Sequence, residues 1–235
     1  MQFAKLKWND QQPYSLDFDD VYYSVDNGLA ETDHVFIRHN QLIERFKQLD
    51  TLASGSPTFT IIETGFGTGL NLLCAWQQWQ EHSQANQTLH FVSVEKYPLA
   101  HGSLKQALQQ WPELKEFSDA LLSVYPPLVS GWHTIKLPLI KPGTGAVVLH
   151  LYLGDINDWL SQMTAKVDTW FLDGFAPSKN PDMWGPHLYH AMARLSDHGT
   201  TMATFTAAGD VRRGLKAAGF TTHKAKGFGK KREML

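Results

Sequence analysis

The chain predicts an α/β fold, Rossmann-like, with a mostly parallel sheet and helices on both faces. Three observations carry this reading. From residue 58 onward, short runs rich in β-branched and aromatic residues alternate with stretches of helical periodicity. A glycine-rich turn sits where the first of those runs gives way to a helix. The 235 residues are 43% hydrophobic with a net charge of −2, enough apolar material for one large core and too little charge for general disorder.

Taken in order, residues 58–63 (TFTIIE) and 89–95 (LHFVSVE) read as strands, each ending on a carboxylate. Between them, residues 69–82 place Leu70, Leu73 and Cys74, and Leu72, Trp76 and Trp79, at helical spacing. Residues 98–111 form a second helix with Pro98 near its first turn. Residues 132–139 and 146–153 flank KPGTG as a hairpin. A short helix at 156–163 precedes a buried strand at 167–173. Residues 183–195 are helical, with Asp182 as the expected N-cap. Then come a strand at 200–206, a helix at 209–218 stopped by Gly219, a strand at 220–226, the GFGKK turn, and REML as a last strand. Residues 1–57 lack a clear period and read as an amino-terminal extension on a catalytic domain of residues 58–235, with a hairpin expected across 35–46.

Composition excludes several classes. A single cysteine, Cys74, cannot form an internal disulfide. The amino terminus lacks the apolar core of a signal peptide, and no run reaches the roughly 18 apolar residues of a membrane span. A soluble, cytoplasmic protein without membrane contact is expected. His187 and His190 have no third ligand, so no metal site is predicted. Gly229-Lys230 is followed by Lys231 rather than Ser or Thr, which argues against a Walker loop, and no G-x-S-x-G occurs. Charge is uneven. Residues 210–235 hold eight basic and two acidic side chains, a local +6, leaving −8 on the preceding 209 residues. That segment is either a solvated face or the footprint of a polyanion.

The sharpest motif is Glu63-Thr-Gly65-Phe66-Gly67-Thr68-Gly69-Leu-Asn71. Alternate glycines let the backbone turn tightly and approach a ligand, and the helix that follows offers free N–H groups. The dinucleotide fingerprint G-x-G-x-x-G is absent, and the acidic Glu63 suits an ammonium rather than a pyrophosphate. The pattern resembles motif I of class I S-adenosylmethionine-dependent methyltransferases. Glu95, at the next strand end, is then placed to accept from both ribose hydroxyls, with Lys96 beside it, and Asp155 to meet an adenine amino group. The stretch Asp173-Gly-Phe175-Ala-Pro177, with Trp184 further on, resembles motif IV of amine-directed methyltransferases, where a strand-end acid orients the nucleophilic nitrogen.

The stretches DFDDVYYSVDNGLAET, ETGFGTGLN, WFLDGFAPSKNPDMW and TFTAAGDVRRGLKAAGF…KGFGKKREML resemble the methyltransferase domain of the bifunctional tRNA 5-methylaminomethyl-2-thiouridine biosynthesis (MnmC) family, over essentially the whole chain. The resemblance implies a class I methyltransferase fold with a seven-stranded sheet. It also implies methyl transfer from S-adenosylmethionine to the aminomethyl nitrogen of a tRNA wobble uridine. Asp173 is the expected catalytic residue, while Glu63, Gly65, Phe66, Gly67, Thr68, Gly69, Asn71, Glu95, Lys96, Asp155 and Asp173 are the expected cofactor contacts. Phe175, Pro177, Trp184, Lys230, Lys231 and Arg232 are expected to face tRNA, although Phe175 and Trp184 fit a core role equally. In the two-domain form a flavin-dependent oxidoreductase domain, which holds FAD, supplies the free amine by removing a carboxymethyl group; no second glycine-rich βαβ unit occurs in these residues. Rival readings are an aminopropyltransferase using decarboxylated S-adenosylmethionine, a nicotinamide oxidoreductase, and a non-catalytic tRNA-binding module. REML is short for a strand inserted between two neighbours, so the natural chain is expected to run on past Leu235.

Overall fold

The computed structural model describes residues 1–24, 27–49 and 56–235; Val25 and Asp26, within the first of the family-like stretches, lie outside it. The amino-terminal part holds a small antiparallel sheet of β1 (Leu6–Asn9), β2 (Gln12–Ser15) and β3 (Asp20–Val21). After it come α1 (Gly28–Thr32), a π-helical turn at Asp33–Arg38, and α2 (Leu42–Gln48). The hairpin expected across 35–46 is therefore incorrect. Val35, Phe36 and Ile37 look like a strand because they are consecutive and bulky, but all three are buried by the π-helical turn. Leu42 and Phe46, one helical turn apart, then carry α2 onto the same core.

The remaining elements alternate as the sequence predicts: β4 (Thr58–Glu63), α3 (Leu70–His82), β5 (Thr88–Glu95), α4 (His101–Leu108), α5 (Lys115–Val124), β6 (Gly131–Lys136) and β7 (Ala146–Leu153). They continue with α6 (Ile156–Trp159), β8 (Val167–Phe171), α7 (Pro186–Leu195), β9 (Ser196–Ala203) and α8 (Gly209–Ala217), and close with β10 (Ala225–Lys226) and β11 (Glu233–Met234). Helix α5 is an addition to the sequence reading; its Phe117 and Leu121 sit at i, i+4 and are buried. Helix α7 starts at Pro186 with Gly185 as N-cap, so Asp182 is not the cap: residues 180–184 first make their own turns, Met183 N–H to Asn180 O and Trp184 N–H to Pro181 O.

The central sheet runs β6-β7-β5-β4-β8-β9, parallel throughout except for β6, which forms the predicted hairpin with β7. Chain order moves outward from β4 to one side and then returns to the other at β8. Open α/β sheets bind ligands at such a reversal, beyond the carboxyl ends of the strands. Each face carries its own core. Helix α3 puts Leu72, Leu73, Trp76 and Trp79 fully inside on one face, together with Phe46 and Phe91. Leu188, Met192 and Leu215, from α7 and α8, cover Trp170 on the other.

The sheet has six strands among the described residues rather than seven. Within the expected strand at 220–226, only Ala225–Lys226 has a ladder partner, and that partner is Glu233–Met234 in a separate two-stranded ribbon. A strand needs a neighbour for its backbone groups. At the β9 edge that neighbour is a single residue, Leu235, which exchanges two hydrogen bonds with Thr204 (2.7 and 3.2 Å).

Candidate active site

Strand β4 delivers Glu63 to the edge of the sheet, and the chain then turns through Thr64–Gly69 into α3. Gly67 (φ +53°) and Gly69 (φ +74°) are left-handed, a conformation that favours glycine. A Cβ on Gly69 would lie 2.9 Å from the Phe66 ring. Phe66 N–H donates to the Val94 carbonyl (2.8 Å), which pins the loop to β5. Glu95, the last residue of β5, accepts from Gly67 N–H and Tyr97 N–H, both at 2.8 Å, one on each carboxylate oxygen. Each oxygen keeps a further lone pair for a ligand hydroxyl. Asp155 follows β7, caps α6 through Asn157 N–H (2.9 Å) and pairs with Lys96 (2.8 Å).

Two residues beyond β8, Asp173 accepts from Gly174 N–H (2.8 Å) and from Asn71 Nδ2 (2.6 Å). That same amide nitrogen donates to Glu63 Oε1 (2.8 Å), so Asn71 bridges two carboxylates while its own oxygen accepts from Thr32 Oγ1 (2.8 Å). Ser93 Oγ donates to the second Glu63 oxygen (2.6 Å).

The surroundings set the charges. Burial holds the Glu63 carboxyl well above the usual carboxylate range, reinforced by Asp173 and Glu95 and opposed by its bonds from Ser93 and Asn71. Burial pushes Glu95 up to about 7 against the backbone N–H groups that stabilise its anion. Asp173 is raised to about 6, again by burial, with Glu31 pushing it up and Lys231 down. For Asp155, burial is outweighed by Lys96 and Asn157, and its carboxyl lies below the ordinary value.

Of the residues expected to meet a cofactor, all but Glu63 and Gly69 line one cavity at the carboxyl ends of the strands. Glu63 does not face an ammonium there. It is completely buried beneath the loop and acts on the cavity through Asn71. Phe175 lines the cavity, stacked on Phe18 (centroids 4.5 Å apart) with Tyr22 edge-on (5.2 Å). Trp184 belongs to the core: it is 8% exposed, donates Nε1–H to the Phe175 carbonyl (3.0 Å) and packs edge-on against Phe205. Pro177 and the Lys230–Arg232 turn do not line the cavity. Lys231 is instead drawn inward, its Nζ 2.8 Å from Glu31 and 4.3 Å from the centre of the Phe205 ring. Lys230 and Arg232 are exposed and make no ion pair among the described residues.

Sequence reasoning assigned no chemistry to the amino-terminal segment, yet Phe18, Tyr22, Glu31 and Thr32 all line the cavity. Asp20 accepts from Ala176 N–H (3.1 Å) and Asp19 pairs with Lys179 (2.6 Å), fastening this arm to the loop that carries Asp173. The acidic run DFDD was the available signal, but its partners lie more than 150 positions away. His187 and His190 are exposed on α7, and the described residues hold no group of three or more ligating side chains placed for a metal ion.

A family model described as "S-adenosyl-L-methionine-dependent methyltransferase" matches residues 112–235. The chain is 52% identical over 232 residues to a protein of Methylobacillus flagellatus and 55% identical over 231 residues to one of Chromobacterium violaceum. Both are named tRNA 5-methylaminomethyl-2-thiouridine biosynthesis bifunctional protein MnmC. These matches take in 99% and 98% of the chain but 34% of each relative, so the chain spans about a third of the length of the curated relatives it matches. Among solved structures, that of MNMC2 from Aquifex aeolicus superposes with a TM-score of 0.72 at 20% identity, covering 100% of this chain and 69% of that one, which establishes a shared fold.

Proposed function

Since the chain belongs to the family of S-adenosyl-L-methionine-dependent methyltransferases, we propose that it methylates the amine of 5-aminomethyl-2-thiouridine at the tRNA wobble position, giving 5-methylaminomethyl-2-thiouridine. The observation that carries this reading is the placement of Asp173, held by Asn71 and Gly174 in the same cavity as the glycine loop and Glu95. The names of relatives about half identical to this chain point to the same substrate. They give no support to the aminopropyltransferase, nicotinamide or non-catalytic alternatives.

The cavity suits the cofactor. Gly65 and Gly67 bring bare backbone to its wall, Glu95 offers acceptors for ribose hydroxyls, and Asp155 an acceptor for an exocyclic amine. When bound, S-adenosylmethionine supplies an electrophilic methyl carbon on a sulfonium that leaves as a neutral thioether. An alkylamine has a pKa of about 10, so it arrives as an ammonium. Asp173, ionised at neutral pH, accepts a hydrogen bond from that ammonium and orients it. Burial in the cavity lowers the amine's proton affinity, and Asp173 takes the proton, exposing the lone pair for in-line attack. What these residues contribute is to hold the deprotonated nitrogen in the cavity, and such positioning would supply much of the acceleration.

On this reading residues 58–235 are the catalytic unit and residues 1–57 an extension that completes its cavity. The remaining two-thirds of the longer relatives would hold the flavin-dependent oxidoreductase, with FAD bound there. A cytoplasmic location follows from a tRNA substrate; no helix among the described residues is long and apolar enough to cross a membrane.

Two results are expected. Glu95→Ala weakens S-adenosylmethionine binding about tenfold or more, because ribose hydroxyls and Gly67 N–H lose their acceptor at roughly 1–3 kcal/mol. Unchanged affinity by calorimetric titration removes Glu95 from the ribose role. Lys230→Glu combined with Arg232→Glu weakens tRNA binding and flattens its salt dependence by roughly 0.7–0.9 in log–log slope per lost contact. Parental binding from about 50 to 200 mM salt returns both residues to the solvated surface.

A further inference from the structure

Lys231 ends in a primary alkylammonium, the same group that an aminomethyl uridine presents. It rests in this structure on the two features that recognise such a cation, a carboxylate (Glu31 Oε1, 2.8 Å) and an aromatic face (Phe205, 4.3 Å to the centroid). Both Glu31 and Phe205 line the cavity that holds Asp173, whereas Lys231 reaches them from the rim. The Glu31 side chain is 13% exposed and that of Lys231 is 45% exposed. Glu31 is thus a largely desolvated carboxylate that calls for a cation, and Lys231 is a partly exposed donor with water available to it.

We propose that Glu31, with the face of Phe205 beside it, is the ammonium-recognition element of this site, and that Lys231 is a tethered stand-in which the substrate's aminomethyl group displaces. The inference rests on the methyl-acceptor reading above and names the residue that selects the acceptor. Two consequences follow from the geometry. An amine that still bears a carboxymethyl group brings a carboxylate toward Glu31 and Asp173 and is repelled, so the site accepts the freed amine and refuses its precursor. Lys231 and Glu31 also act on Asp173 in opposite directions. The arriving ammonium brings the same charge to that place, so Asp173 keeps a cation beside it as Lys231 leaves.

The test uses nucleosides, which carry no phosphates and so leave tRNA backbone contacts out of the measurement. The protein, saturated with S-adenosylhomocysteine, is titrated with 5-aminomethyluridine and with the neutral 5-hydroxymethyluridine, followed by NMR. Wild type should prefer the amine at least tenfold, Glu31→Gln should abolish that preference, and Lys231→Met, which keeps packing on Phe205, should bind the amine several-fold more tightly. Retention of the preference in Glu31→Gln, or amine binding by Lys231→Met no tighter than wild type, overturns the proposal. Methyl transfer by wild type to tRNA bearing the free aminomethyl group is measured alongside. Turnover with no amine preference overturns the role of Glu31 alone; absence of both turnover and nucleoside binding overturns the acceptor reading beneath it.

Discussion

Asp173→Ala is expected to lower methyl transfer to aminomethyl tRNA by about two to four orders of magnitude, the range associated with losing a positioned acid–base group. The side chain has no part in the sheet ladder, so the fold should survive; its loss frees one amide hydrogen of Asn71 and the N–H of Gly174. S-adenosylmethionine affinity should change far less than turnover. In the unaltered protein, single-turnover rates should climb as pH rises through about 6, where Asp173 ionises. Near-parental rates at neutral pH for a folded Asp173→Ala protein would remove Asp173 from the chemistry.

Asn71→Asp should cost more stability than any surface change. One amide now supplies hydrogen to two carboxylates, Glu63 and Asp173. An aspartate at 71 withdraws both donations and sets a third acid against a fully buried Glu63. Breaking a buried charge network in this way costs about 3–5 kcal/mol. For a chain of this length that lowers the melting temperature by on the order of 10 °C. The loss should depend on pH in a definite direction. Glu63 has its folded pKa raised, so the folded state holds the proton more tightly than the unfolded chain, and the penalty for ionisation is absent below the unfolded value and complete above the folded one. The gap between the two proteins should therefore be smaller at pH 5 than at pH 8. A gap that widens on acidification, or a variant that melts with the parent, contradicts this account.

The strand–turn–helix from Thr58 to His82 was legible because its cues are local: β-branched residues, alternating glycines and helical spacing within a few residues of one another. Strand-end acids were legible for the same reason, since parallel α/β sheets gather such positions at one edge. What side chains touch beyond that edge was not. Glu63 and Glu95 carry the same group at the ends of adjacent strands and on the same face of the pleat, but the register pairs Glu63 with Ser93, so Glu95 stands two residues further out and faces the cavity while Glu63 lies under the loop. Trp184 looked free to meet a base, but the two turns before α7 fold it back onto Phe205. The chain between 35 and 46 was misread because three bulky residues in a row satisfy a strand and a buried π-helical turn alike. The basic carboxyl-terminal run was counted as a unit, although Lys224 pairs with Glu233, Arg213 with Asp210 and Lys231 with Glu31.

The Glu31–Lys231 contact joins positions 200 residues apart. During synthesis the first appears early and the second only when the GFGKK turn is made, so Glu31 waits for its tethered cation until then. The glycine loop, Glu95 and even Asp173 can be in place on a nascent chain whose acceptor side is still open to water. Non-local pairings of this kind form late because loop closure precedes their reward. A ribosome stalled short of the GFGKK turn would therefore display a chain whose Glu31 has no tethered cation beside it.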